Sequence, residues 1–242
     1  MSDDRILLRR EGDVAHVVLN RPDKLNCVSR AMWERLGAVF AELDTDGDLR
    51  CVVLSGTGPK AFCVGADIAE FSSLRADAPQ ARAYAALSHG ALEAIMRCRH
   101  PVVAAIRGLC VGGGLELACA ADLRICARGS RFGIPAKRLG LVVATTELAP
   151  LQRLVGPANA KEILLTGDLF DADEARRMGL VNRVTPEDGF DDALATLVAS
   201  IVDGAPLTAA EHDESYLCFD TEDFRAGAAA FLARSKPVFR GR

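Results

Sequence analysis

The stretch Cys110–Asp122, CVGGGLELACAAD, sets three glycines at the head of a segment that otherwise reads as a helix, and follows them with one acid, Glu116. Glycine disfavours a helix interior by about 1 kcal/mol relative to alanine, so three in a row mark a place where the backbone itself has a task. At a strand-to-helix junction they permit a sharp turn and leave the unpaired N–H groups of the first helical turn facing open space, where the helix dipole also favours negative charge. Backbone donors in that position suit an ester or thioester carbonyl that becomes an oxyanion during reaction. Glu116 beside them reads as a general acid or base for the carbon next to that carbonyl. Its other reading is a first-turn acid that stabilises the helix by a few tenths of a kcal/mol.

A second glycine loop, GTGPKAFCVGADIAEF (Gly56 to Phe71), also follows an apolar run. Gly56, Gly58 and Ala61 imitate the G-x-G-x-x-A of a dinucleotide site. No regular helix pattern opens directly after them, and no acid ends a second strand about 20 residues later. The chain has no G-x-x-x-x-G-K-[ST] phosphate loop and no G-x-S-x-G serine elbow. Its eight cysteines lie mostly in apolar stretches without a C-x-x-C, and its four histidines are scattered. Reduced core thiols and no metal site are the expectation.

Strands and helices alternate around these loops. VAHVVLNRP (Val14 to Pro22) and RCVVLSGTG (Arg50 to Gly58) read as β-runs stopped by turn residues. Between them Ser29 caps a helix with Met32, Leu36, Phe40 and Leu43 on one face. A second helix starts near Asp77, carries Tyr84, Leu87, Ala91 and Ile95, and ends in RCRHP. PVVAAI is a short buried strand, and the helix after the glycines is expected to run through Ala121 and Leu123. This order predicts an α/β sheet with crossover connections. Beyond Pro150 the spacing predicts short helices and turns, then a helical tail from Asp192 with an Ala-rich segment at Arg225 to Arg234. The expected division is an α/β core over 1–190 and a C-terminal helical region over 191–242.

With 242 residues, half of them apolar, and a formal net charge of −4, nothing draws the chain to nucleic acid or to a membrane. No apolar run approaches the roughly 18 residues of a membrane helix, and the charged MSDDRILLRREGD is not read as a signal peptide. A cytoplasmic location is expected.

Taken in order, GTGPKAFCVGADIAEF, VGGGLELACAAD, RFGIP and the closing FRAGAAAFLARSKPVFRGR resemble the enoyl-CoA hydratase/isomerase (crotonase) superfamily, from LNRPDKLN to the last residue. The resemblance implies a crotonase-like α/β fold of repeated ββα units whose C-terminal helices pack into homotrimers, often paired into homohexamers. It implies a coenzyme A thioester as substrate, with no separate cofactor. Two backbone N–H groups, matched here by Ala66 and Gly113, would hold the thioester oxygen as an enolate forms, and Glu116 matches the family's catalytic acid in G-G-G-x-E. The CoA arm would lie against Lys24, Leu25, Val64, Ala66, Asp67 and Ile68. Phe231 and Arg234 match tail positions through which a neighbouring subunit reaches the nucleotide end, where a basic residue suits a phosphate. The other reading of Lys24 and Arg234 is a solvated surface charge.

Hydratases of this kind use a second carboxylate after F-G-x-P, but the chain reads FGIPAKRLG, with Ala136 in that place. Ala144 stands where some isomerases and dehalogenases carry an acid. The usual glycine-rich segment is replaced by VATTELAPL, which introduces Glu147 in the first turn of a helix capped by Thr145. Glu147 reads either as a dipole-stabilising acid or as a relocated catalytic one. Val64 and Arg107 are lesser departures that bear on substrate fit. Three readings stand: an acyl-CoA enzyme working through an enolate, as a hydratase or a single-carboxylate isomerase; a CoA-binding protein without turnover; and a nucleotide-dependent oxidoreductase built on Gly56 and Gly58. The acyl pocket is expected from Phe71 to Ala85 and Leu139 to Leu148.

Overall fold

The structure is a computed structural model that describes residues 4–205 and 215–241; His212 and the adjoining part of the expected helical tail lie outside them. The chain opens with a hairpin, β1 (Ile6–Glu11) antiparallel to β2 (Val14–Leu19), and α1 (Arg30–Asp44) follows. Ser29 caps α1 as expected, its side chain accepting from the Met32 N–H at 3.4 Å.

Three ββα units come next. The first is β3 (Cys51–Gly56), β4 (Ala61–Cys63), a one-turn α2 (Phe71–Leu74) and α3 (Ala78–Met96). The second is β5 (Val102–Ile106), β6 (Leu109–Val111) and α4 (Gly113–Ala120). The third is β7 (Leu123–Ala127), β8 (Arg131–Gly133) and α5 (Thr145–Thr166). The first strand of each unit enters a six-stranded sheet ordered β1-β2-β3-β5-β7 and completed by β10 (Arg183–Thr185). The second strand enters a smaller sheet ordered β4-β6-β8 and completed by β9 (Phe170–Asp171). Within each unit the strand pairs are parallel to those of the next, and β9 runs antiparallel to β8. α6 (Ala172–Arg177), α7 (Phe190–Val202) and α8 (Glu222–Ala233) complete the chain.

All five residues of β5 are buried, which explains the uninterrupted apolar run of PVVAAI: a parallel sheet is covered on both faces. One face packs under α1 and α3. The other packs under α7, whose Phe190 and Leu197 meet Cys51, Val53, Val103 and Ile125. The expected division after residue 190 therefore falls one residue into a helix that covers the main sheet. Six cysteines are buried and all eight are free thiols. Burial pushes Cys51, Cys63, Cys119 and Cys126 up to about 12, so these thiols stay protonated and unreactive. No helix among the described residues is long and apolar enough to cross a membrane.

Several boundaries differ from expectation. α4 ends at Ala120, and Leu123 opens β7 instead of extending the helix. Arg124, almost wholly buried, closes that end: its guanidinium donates to Ala118 O within the helix and to Ala121 O at its cap, and reaches beyond them to Asp122 O and Leu180 O. The short strands β9 and β10 lie where only helices and turns were expected. α5 is two shorter helices in succession, as the sequence led one to expect beyond Pro150, joined across a kink at Gly156, whose φ of +76° and ψ of 163° are not helical.

Candidate active site

Each of the three glycines has its own reason. Gly112, at φ +55° and ψ −126°, makes the turn from β6 into α4. Gly114 packs against the backbone of β4, where an added Cβ would fall on the Cys63 carbonyl. Gly114→Ala is expected to cost about 1–3 kcal/mol of stability through overpacking, read as a lower Tm; an unchanged Tm would mean that the two elements need not approach so closely. Gly113 is the first residue of α4, and its N–H is one of the orphan donors of the helix start.

The other donor comes from the loop after β4. Val28 N–H donates to Gly65 O at 2.8 Å, and Asp67 N–H donates to Val28 O at 2.9 Å. Those bonds clamp the residues on either side of Ala66, so the Ala66 N–H points to the opposite edge. Neither it nor the Gly113 N–H has a hydrogen-bond acceptor among the described residues. A Cβ built on Gly113 would sit 3.6 Å from Ala66 N and 3.6 Å from Glu116 Oε2. Two unpaired donors and one carboxyl thus converge on the same small space.

That space opens into a cleft of about 900 Å³, counting the part shared with solvent, which Val64, Ala66, Ile68, Gly113, Glu116, Ala136 and Glu147 all help to line. Burial pushes the Glu116 carboxyl up to about 8, the charge of Glu147 adds to the rise, and Arg75 opposes it. Burial thus favours the protonated form of Glu116. Glu147 is held differently: its Oε2 accepts from the Ala144 N–H at 2.8 Å, and its Oε1 lies 3.2 Å from His89 Nε2. This corrects the expected cap of α5. The cap position is Ala144, Thr145 is the first helical residue, and the Glu147 side chain reaches back to the cap backbone as half of a capping box.

Of the other expected CoA contacts, Asp67 is buried and its carboxylate is engaged by Arg21 at 2.9 Å and Lys24 at 3.5 Å. Its burial opposes ionisation, but the Arg21 and Ala69 hydrogen bonds outweigh that and hold its pKa below the usual carboxylate range. Lys24 and Leu25 sit on the adjoining RPDKLN loop, which buried Asn26 ties down by donating to Thr57 O at 3.0 Å and Ala61 O at 2.7 Å. Neither lines the cleft. Phe231 and Arg234, on and just after α8, also lie outside it, with Phe231 84% exposed. Arg107 does not line the cleft: it pairs with Asp191 at 2.9 Å and stacks on Phe190, fastening α7 to the sheet.

Both segments expected to form the acyl pocket contribute to the cleft. The sequence singled out neither Arg75, inside the first of them, nor His89, just beyond it, as the partner of Glu147. The Gly56 loop leads into β4 and not into a helix, so it lacks the helix N-terminus that a dinucleotide pyrophosphate needs.

Residues 9–217 match the enoyl-CoA hydratase/isomerase family. The chain is 31% identical to a short-chain-enoyl-CoA hydratase of Clostridium acetobutylicum, covering 98% of this chain and 97% of the relative. It is 35% identical to a probable enoyl-CoA hydratase of Mycobacterium bovis over the full length of both. A crystal structure of an enoyl-CoA hydratase/carnithine racemase from Magnetospirillum magneticum superposes with a TM-score of 0.96 at 44% identity, covering 100% of this chain and 97% of that one. Fold, glycine-built donor pair and relatives agree: the chain belongs to the enoyl-CoA hydratase/isomerase family of enzymes.

Proposed function

We propose that the enzyme adds water to the double bond of a trans-2-enoyl-CoA, using Glu116 and Glu147 as its two carboxyl groups. The observation that carries this reading is that both line one cleft with the unpaired N–H groups of Ala66 and Gly113. The thioester oxygen lies between those two donors, which stabilise it as negative charge develops. Glu147, as a carboxylate oriented by His89 and the Ala144 N–H, takes a proton from water as the water oxygen bonds to the β-carbon. Glu116, adjacent to the oxygen site, gives its proton to the α-carbon. The two carboxyls leave with exchanged protonation states and reset by proton transfer, so atoms and charge balance. The chemistry calls for no cofactor beyond the CoA carried by the substrate.

The CoA arm follows Val64, Ala66, Asp67 and Ile68 past Lys24 and Leu25, and Phe231 and Arg234 of a neighbouring subunit meet its nucleotide end. The exposure of Phe231, Leu232 and Val238 supports a homotrimer or homohexamer. A cytoplasmic enzyme is the matching location. Ala136, a methyl where a second acid was expected, favours one further reading: isomerisation of the double bond by Glu116 alone.

Incubation with crotonyl-CoA and with a longer trans-2-enoyl-CoA separates the two. A 3-hydroxyacyl product supports hydration, a 3-enoyl product supports isomerisation, and tight binding without turnover sinks both. Because Glu116 must be protonated to act as the acid, kcat/KM for hydration should fall as pH rises through about 8. A rate that climbs through that range would reverse its role.

A further inference from the structure

Among the described residues lining the cleft, Arg75 is the only cation. It follows α2, half-buried, with its guanidinium carbon 4.5 Å from the Phe71 ring centroid and 5.1 Å from that of Tyr84. It forms no ion pair among the described residues. Ring faces attract its charge but leave its five in-plane N–H donors without full acceptors. Two more polar atoms beside it are in the same condition. The Trp33 Nε1 and the Tyr84 hydroxyl are buried without a hydrogen-bond partner that meets normal geometry, and both residues line the same cleft. The Trp33 Nε1–H lies near enough to the Tyr84 hydroxyl to oppose the rise that burial imposes on it, while the Tyr84 O–H donor has no acceptor of normal geometry.

A hydrocarbon acyl chain entering this cleft would strip water from Arg75 and offer nothing in return, and a buried unpaired charge is costly. An anionic chain would meet two carboxyls, Glu116 and Glu147, unless a cation faced it. Arg75 meets both conditions, and its planar fork matches a carboxylate. Resting on the hydratase reading above, we infer that Arg75 anchors a carboxylate at the far end of the acyl group, so that the preferred substrate is an enoyl thioester of a dicarboxylic acid.

The test uses matched thioesters of equal chain length. Glutaconyl-CoA and trans-pent-2-enoyl-CoA, which differ in a terminal carboxylate against a methyl, are compared for turnover. Glutaryl-CoA and pentanoyl-CoA are compared for binding by calorimetry. The full-length wild type should prefer the carboxylate-ended member of each pair by about tenfold or more. Arg75→Met, which keeps the packing stem, should lower kcat/KM for glutaconyl-CoA about 100-fold more than for pentenoyl-CoA. Arg75→Lys should retain part of the preference. Equal handling of both partners by the wild type, or equal losses for both in Arg75→Met, overturns the anchor. A calorimetric preference that depends on Arg75 without turnover of either enoyl thioester keeps the anchor and sinks the hydratase reading; failure of both to bind sinks the two together.

Discussion

Glu116→Gln is expected to lower kcat by a factor of about 10²–10⁴ while leaving binding of a saturated acyl-CoA intact. Glutamine fills the same volume next to the oxygen site but has no proton to give, and single-turnover kinetics with crotonyl-CoA reads the loss directly. Turnover within a factor of two of wild type would remove Glu116 from the chemistry. The same substitution should act on stability with the opposite sign. The carboxyl of Glu116 is raised above its ordinary value of 4.5 to about 8 by burial first and by Glu147 second. Below about 4.5 it is protonated in both folded and unfolded chains and contributes no pH dependence. Between 4.5 and 8 the unfolded chain gives up the proton that the folded one keeps, so stability falls as pH rises across that window and stays low above it. Glu116→Gln should therefore raise Tm at pH 8, where each ~1 kcal/mol of relief is worth about 2–4 °C at this chain length, and change it little at pH 4. A uniform shift at both pH values would show that the gain comes from packing.

The second large effect concerns Glu147. Glu147→Gln can still accept from the Ala144 N–H but cannot take a proton from water, and hydration should fall by about 10²–10⁴. Ala136 lines the same cleft, so adding Ala136→Glu in that background should restore part of the rate. Measured as 3-hydroxyacyl-CoA formed, undiminished hydration in Glu147→Gln would leave it with only the structural part, as the acid that caps α5. A loss of hydration with a persisting 3-enoyl product would assign the water step to Glu147 and the α-proton to Glu116. Those two outcomes cannot both follow from a capping role.

The contrast between Glu116 and Glu147 shows what a sequence can carry. The place of Glu116 beside a pair of backbone donors was legible because its neighbours are local: three glycines, a strand before and a helix after are all within a few residues. The starts of α1 and α3 were legible for the same reason, since Ser29 and Asp77 bond to N–H groups three residues on. Glu147 could be named but its role could not be chosen, because His89, the partner that orients it, is 58 residues away in the chain. Arg75 carried no local signal. A cation on a loop is ordinary, and its meaning comes from the rings of Phe71 and Tyr84 and from its place in the cleft as a cation without a direct ion pair among the described residues, which only packing decides. The same limit hid β9 and β10. Strands of two and three residues have no periodicity to read, and they exist because β8 and β7 present open edges in the right register.

Because consecutive ββα units share the work, no stretch of the chain holds a functional fragment. Ala66 belongs to the first unit, Gly113 and Glu116 to the second, and Ala136 and Glu147 to the third. Each lies just beyond the short second strand or in the helix that follows it. Their meeting depends on parallel pairings between β3, β5 and β7, each of which closes a long loop and is slow for that reason. Recovered activity during refolding thus reports the stacking of the whole array, and it should trail the return of helical signal, which α1 and α3 can supply from local contacts before Ala66, Gly113, Glu116 and Glu147 have met.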